Sequence, residues 1–280
     1  MNLEDIRTVV KRSLKIRTQF NIPLDDSFCV FDLSNDLGAE VRFVDMTSLE
    51  GAYWKDSKTI LLSTYRPEGR IRFTCAHELG HHVFKHGDHF DELVEKANCC
   101  SNTKEELMAN LFASFLLMPE TTVKSFFVNN KWLVEKTSSH QLFIISNWLG
   151  VSYSSVVNHM YYGLKLINES TFLELIKVQP KTIKKEITGL QIKSNLLIVN
   201  EHWKGRPIDL EVGDYVQFVG SVIFDERLVT QVSAANENLF VAEKPGVTRV
   251  EMPWHDNNLM LRVRRKEYLG RSIFRNLSED

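Results

Sequence analysis

The sequence predicts an α+β protein. A mostly helical N-terminal domain, with a small sheet and a helix-turn-helix-like pair, is followed by a β-sandwich-like C-terminal domain. Three observations point there. Apolar residues recur at helical spacing through most of the first ~170 positions. The last ~110 positions break into short β-rich runs at about 8–12-residue spacing, punctuated by turn residues. Between them lies "IKVQPKTIKKEITG", a polar connecting stretch. The chain has 280 residues, a length that suits two domains. The predicted boundaries are 1–168 for the first domain, with the helix-turn-helix-like segment at 139–166, a linker at 169–191, and a β-rich domain at 192–280.

In chain order, Ile6, Val9, Val10, Leu14 and Ile16 form a loose stripe that predicts a first helix. Pro23 and the Asp25–Asp26–Ser27 cluster signal the start of a second helix, and Gly38 its end. "AEVRFVD" alternates as a strand. "EGAYWKDS" reads as turn-like, and "SKTILLS" as a second strand. A helix is expected from about Pro67 to Lys85, then a polar loop over 86–102. "TKEELMANLFASFLLM" is a strong helix with Thr103 at its cap and Glu106 at capping-box spacing. Pro119 ends that helix and can open the next. "SSHQLFIISNWLGVSYSSVVNHMYYGLKLIN" reads as two helices joined at Gly150–Val151–Ser152. The C-terminal runs are "NLLIVN", "DYVQFVG", "RLVTQV", "NLFVAE", "VTRVEM" and "LMLRVRR".

Composition narrows the function. Hydrophobic residues make up 43% and charged residues 25%, ordinary values for a globular protein, so a core can form. The formal net charge of −2 gives no general attraction to nucleic acid or anionic membrane. No run reads as a membrane span, the N-terminus lacks a signal-peptide core, and the expected location is the cytoplasm. Cys29, Cys75 and the adjacent Cys99 and Cys100 form no regular framework and are expected as reduced thiols. A redox or zinc-blocking role for Cys99 and Cys100 is the lesser reading.

Chemistry concentrates in "IRFTCAHELGHHVFKHGDH", residues 71–89, which hold five of the nine histidines. His77 and His81 bracket Glu78 as H-E-x-x-H. On a helix, residues four apart share a face, so both imidazoles can reach one ion, and imidazole suits zinc. Glu78 lies one position round, where a general base for activated water belongs. The competing reading is a histidine-rich surface helix. Gly80 costs about 1 kcal/mol inside a helix relative to Ala, so it implies another backbone close by. His82 is expected to face away from the metal as an ordinary surface histidine, and His86 and His89 to be solvent-exposed in the loop, with support of the metal ligands from outside as the lesser reading.

A catalytic zinc needs a third protein ligand and an open position. Glu106 has Ala109, Asn110 and Ala113 on its own face, a stripe of small residues suited to close approach by the metal helix. Simple helix capping is the alternative for Glu106, but capping leaves the stripe unexplained. Glu105 points about 100° away and is the weaker choice.

The run "GRIRFTCAHELGHHVFKH", followed by "EELMANLFASFLLMP", closely resembles the ImmA/IrrE-type zinc metallopeptidases. "IPLDD", "LGAEV", "LEGAYWKDSKTILLS" and the downstream "LGVS" fit as well, so the resemblance covers about residues 1–168. It implies a zincin-like, gluzincin-like metallopeptidase domain with one Zn2+ per chain, held by His77, His81 and Glu106, and Glu78 as catalytic acid/base. It implies a cytoplasmic endopeptidase whose substrate is a specific regulatory protein, such as a helix-turn-helix repressor or antitoxin-like regulator. The alternative is a non-proteolytic protein- or DNA-binding regulator that retains the peptidase fold.

Other readings are weaker. His159, Tyr161 and Tyr162 are candidates for transition-state or substrate contacts, against ordinary helix packing. "KTILLS" is read either as an edge that pairs with extended substrate or as a buried strand. The second helix of the pair carries only Lys165 as a fixed positive charge, so direct nucleic-acid binding is not expected. The C-terminal rhythm is weakly similar to immunoglobulin-like, chagasin-type modules, without their further loop motifs. The basic "RVRRKEYLGRSIFR" is read as a solvated strand edge, with an acidic partner as the alternative.

Overall fold

A computed structural model describes residues 1–92, 103–204, 206–224, 227–233, 236–252 and 259–277. The fold is mixed α+β. In chain order come α1 (Leu3–Gln19), α2 (Val30–Asp36), β1 (Glu40–Val44), β2 (Leu49–Trp54), β3 (Thr59–Ser63) and α3 (Glu68–Phe84). Next are β4 (His89–Glu92), α4 (Lys104–Leu117), α5 (Glu120–Asn129), α6 (Ser139–Leu149), α7 (Tyr153–Asn158), α8 (Glu169–Leu175) and α9 (Pro180–Thr188). The strands β5 (Leu196–Val199), β6 (Ile208–Glu211), β7 (Tyr215–Phe218), β8 (Ile223–Phe224) and β9 (Val229–Ser233) follow. β10 (Asn236–Ala242), β11 (Gly246–Glu251), β12 (Leu259–Arg264) and β13 (Gly270–Arg271) complete the chain. Two compact units form: Met1–Thr122 with Glu267–Phe274, and Val123–Lys266 with Arg275–Asp280.

The first unit is built on a sheet of order β13-β1-β3-β2-β4. β1 and β3 run parallel, while β2 is antiparallel to both β3 and β4. β3 is buried along its whole length, because it lies between β1 and β2; it is the central strand, and among the described residues the sheet's edges are β13 and β4. The turn-like reading of "EGAYW" is corrected: Glu50–Trp54 belong to β2, and the turn is confined to the residues after Trp54. The loop expected over 86–102 is also corrected at its start, since His89–Glu92 form β4. The rest of that segment, with Cys99 and Cys100, lies outside the described residues. Cys29 and Cys75 are buried free thiols, and burial pushes Cys75 up to about 12.

α3 packs on β2 and β3 and on α4, and α4 packs on α1. Pro67 stands at the N-cap of α3, and Lys85 ends it in the left-handed region at φ 57°. Arg17 of α1 is fully buried. Its guanidinium donates to the carbonyls of Leu116 (2.9 Å) and Pro23 (2.7 Å) and to that of Asp26, so the buried cation is met by backbone oxygens. β13 returns from the far end of the sequence to pair with β1, and Asn35 Nδ2 donates to Ser272 Oγ at 2.9 Å. That return gives residues 267–274 to the first unit.

The second unit contains the predicted helical pair. α6 begins with a capping box between Ser138 and Gln141 and ends at Gly150, φ +70°. Ser152 caps α7. The pair is tied to the β region: Ile198 N donates to Asn147 Oδ1 at 3.0 Å, and Arg206 Nε to the carbonyl of Trp148 at 2.9 Å. The linker is itself structured, as α8 and α9. Among the described residues the C-terminal strands form two four-stranded sheets, β5-β7-β10-β9 and β6-β12-β11-β8. Each includes a parallel pair, β5 with β7 and β6 with β12, which departs from the antiparallel sheets of immunoglobulin domains. Arg262 and Arg264 of the basic run pair with Asp209 (Nε–Oδ1, 2.6 Å) and Glu211 (Nη2–Oε2, 2.5 Å) across the β6–β12 ladder. The turn expected at Asp256–Asn257–Asn258 lies outside the described residues.

Lys104–Asn129 is long and apolar enough, by length and composition, to cross a bilayer, which the reading of the sequence overlooked. Here the run is two helices, α4 and α5, separated at Pro119. Its apolar side chains Phe112, Leu116, Phe126 and Phe127 are buried in protein. A core helix pair accounts for that composition.

Candidate metal centre

The centre is built on α3. His77 and His81 turn the same way, as their spacing requires, and their Nε2 atoms stand 3.2 Å apart. α4 delivers Glu106, with Oε2 at 3.4 Å from His77 Nε2 and Oε1 at 3.4 Å from His81 Nε2. The two helices reach this separation through Gly80. A Cβ built there would lie 3.1 Å from Ala109 Cα and 3.2 Å from Phe112 Cδ1. Ala109 and Ala113 are fully buried, so the small-residue stripe is where α4 meets α3. Thr103 Oγ1 accepts from Glu106 N at 3.2 Å, which caps α4. The reciprocal half of a capping box is absent, because the Glu106 carboxylate is turned to the histidines.

Glu78 is fully buried beside the ligand pair. β2 passes over it at Gly51, where a Cβ would come within 2.4 Å of Thr74 Cγ2 and 3.0 Å of Glu78 Oε1. Only glycine lets the strand lie that near the carboxylate. A fourth group joins from β4. His89 stacks on His81 with ring centroids 4.0 Å apart, places Nε2 at 2.7 Å from Glu106 Oε1, and places Nδ1 at 3.2 Å from Glu78 Oε2. One ligand atom from each of His77, His81, His89 and Glu106 lies within 4.8 Å of the others.

Outer contacts orient the rings. His77 Nδ1 is 3.1 Å from Asn110 Oδ1, and as the N–H donor it leaves Nε2 bare toward the cluster. His81 Nδ1 meets His86 Nδ1 at 3.0 Å. Electrostatically the groups are strongly coupled. Burial and the neighbouring charges of His89 and His77 hold His81 down to about 2. Burial opposes charge on His89 as well, but its bonds to Glu106 and Glu78 outweigh that and raise it to about 10. His77 is raised in the same manner, against burial, by its bond to Glu106 and the charge of Glu78. Burial works against the Glu106 anion, yet its bonds to His77 and His89 hold it well below the usual carboxylate range. Imidazole nitrogens and a carboxylate converging at this spacing form a donor set suited to a metal cation.

Zinc bonds of ~2.0–2.1 Å at tetrahedral angles separate neighbouring ligand atoms by about 3.3 Å. The spacings among His77, His81 and Glu106 are 3.2, 3.4 and 3.4 Å, so the donor set fits zinc in type and in span. Residues 35–161 match the family model of the IrrE N-terminal-like domain, peptidase M78. These residues are similar to the IrrE N-terminal-like domain of the ImmA/IrrE family.

No curated protein matches the chain. Among solved structures, a Mycobacterium tuberculosis transcriptional regulator is similar at 12% identity and a TM-score of 0.38, over 55% of this chain and 46% of that one. The chain thus spans less than half of that regulator's length.

Within the ImmA/IrrE-type segment, the sequence reading of the other histidines needs two corrections. His82 does turn aside, bonding Tyr53 Oη at 2.8 Å and standing 3.2 Å from the Leu37 carbonyl oxygen. His86 is buried, not solvent-exposed, because the chain after Lys85 folds back onto His81. His89 is in the cluster, because β4 pairs with β2 and sets it opposite Tyr53. Glu105 is exposed, at the outer side of α4. His159, Tyr161 and Tyr162 lie in the second unit, on a π-helical turn at His159–Gly163. There His159 is buried, Tyr161 stacks on Phe172 at 4.4 Å, and Tyr162 is exposed.

Asn110 was legible only as a small residue in the stripe, and its structural role is specific. Asn110→Ala is expected to weaken zinc binding by about 10–100-fold, the range for loss of such an orienting bond. Competition against a chromophoric chelator measures this, and unchanged affinity would show that Asn110 does not set the ring.

Proposed function

We propose that the protein is a zinc-dependent endopeptidase that cleaves a specific intracellular regulatory protein, a helix-turn-helix repressor or antitoxin-like regulator. The observation that carries the reading is the convergence of His77, His81 and Glu106 at 3.2–3.4 Å beside the buried Glu78. Bound at these three residues, one Zn2+ would lower the pKa of a coordinated water toward ~7 and polarise a carbonyl. The chain's own groups do the rest. Asn110 fixes the His77 ring, and the close packing at Gly80 fixes Glu106 against the histidines. Glu78 takes a proton at its carboxylate from the attacking water and returns it to the leaving amine. Burial under β2 keeps solvent away from that carboxylate.

In this reading residues 1–168 act as the peptidase module and 169–191 as its connection. Residues 192–280 act as a sandwich-like module that recruits substrate or restrains cleavage. His159, Tyr161 and Tyr162 are the groups offered for transition-state or substrate contact, and the cytoplasm is the place of action. The test is co-expression with repressors encoded beside the protein's own gene. A cleavage product with the native chain and none with Glu78→Gln supports the protease. Equal biological effect of both chains, with no product, favours the non-proteolytic regulator.

A further inference from the structure

The cluster offers one donor too many. A catalytic zinc is held by three protein groups and keeps a position for water or substrate, whereas a closed four-ligand site is structural. His77, His81 and Glu106 already supply three, and His89 is a fourth within the same 4.8 Å. Its ring lies flat on His81 and spans the gap between Glu106 and the base Glu78. That gap is where the reacting water and carbonyl of the proposed peptidase belong.

His89 is also held differently from the other three. His77 sits well inside α3 and His81 in its last turn, both buried on the helix, and Glu106 is locked by the packing of Gly80 on Ala109. His89 opens β4, a four-residue strand at the edge of the sheet, paired only to β2 among the described strands. The pairing Tyr53↔His89, Ala52↔Phe90, Gly51↔Asp91 shifts register between Gly51 and Leu49. Bulges of that kind terminate pairing and occur beside active sites. β4 therefore covers the side of β2 that passes over Glu78, which is the side an extended chain would pair with by strand addition.

We propose that His89 is a fourth, displaceable protein ligand of the zinc. β4 thereby holds the centre in a closed state, until an extended segment of a protein substrate takes its place on β2 and draws His89 away. A water then enters the vacated position. This rests on the metallopeptidase reading and adds its regulation.

X-ray absorption on the zinc-loaded full-length chain tests the closed state directly. Three imidazole nitrogens and one carboxylate are expected, falling to two imidazoles in His89→Ala. The second measurement uses cobalt(II) in place of zinc and acetohydroxamate as a small metal-directed probe. Its visible spectrum should respond in His89→Ala at a probe concentration at least about tenfold lower than in the native chain, the factor by which a nine-tenths closed population reduces apparent affinity. Two imidazoles and a water in the native chain, or equal acetohydroxamate affinity in both chains, would overturn the proposal and leave the metallopeptidase reading standing. Failure of the native chain to take up either metal would sink that reading itself.

Discussion

Glu78→Gln is expected to lower peptide-bond cleavage by about 10²–10⁴-fold, the usual contribution of a positioned general acid/base, while zinc content stays at the native level. The substitution keeps shape and removes only proton affinity. Glu78 is fully buried, with Oε2 at 3.2 Å from His89 Nδ1, so an amide of the same size fits the same space. Residue 78 is not among the groups proposed to hold the metal, so loading is expected to survive. The amide oxygen can still accept from His89, but the ion pair with that ring is lost, so the variant should melt lower than the native chain while remaining folded. Metal analysis, a melting curve and a cleavage assay on one preparation separate these effects. Full cleavage by a folded, zinc-loaded Glu78→Gln would remove Glu78 from the mechanism. Loss of zinc with loss of cleavage would instead place the residue among the ligands.

The site was legible in the sequence to the extent that it obeys helical geometry. H-E-x-x-H fixes which two rings share a face, because the spacing of a helix is local. Gly80 and the stripe at Ala109 and Ala113 also spoke early, since a costly glycine and a run of small side chains record a close approach from each side. Their meeting in the fold, at 3.1 Å from Ala109 Cα, is the same fact read twice. His89 and His86 were not legible in this way. "KHGDH" has no period, and polar residues beside Gly87 read as loop. What moves His89 into the cluster is its pairing across from Tyr53, a long-range pairing with no mark in its own neighbourhood. β2 was obscured for a related reason, since "EGAYW" runs straight into the turn residues "KDS". β13 is two residues long, too short for any period to announce it.

The packing of α3 on α4 predicts its own disruption. Gly80→Val is expected to destabilise the first unit by about 1–3 kcal/mol, the usual cost of forcing extra methyl groups into a packed interface, and to weaken zinc binding with it. The new Cβ would stand 3.1 Å from a backbone atom, Ala109 Cα, and 3.2 Å from the ring of the fully buried Phe112. Neither can swing aside as the end of a flexible side chain could. α4 must therefore shift, and Glu106, one turn before Ala109, shifts with it away from His77 and His81. Gly80→Ala is the graded case. It regains about 1 kcal/mol of helix propensity but meets the same backbone atom, so its stability should change little while its zinc affinity still falls. Adding Ala109→Gly removes the Cβ at 3.3 Å but leaves the backbone of residue 109 in the way, so the double variant should recover only part of that affinity. Thermal melts with and without zinc, and chelator competition across the four chains, read both quantities. If Gly80→Val melted lower yet bound zinc as tightly as the native chain, Glu106 would not be the ligand that α4 delivers.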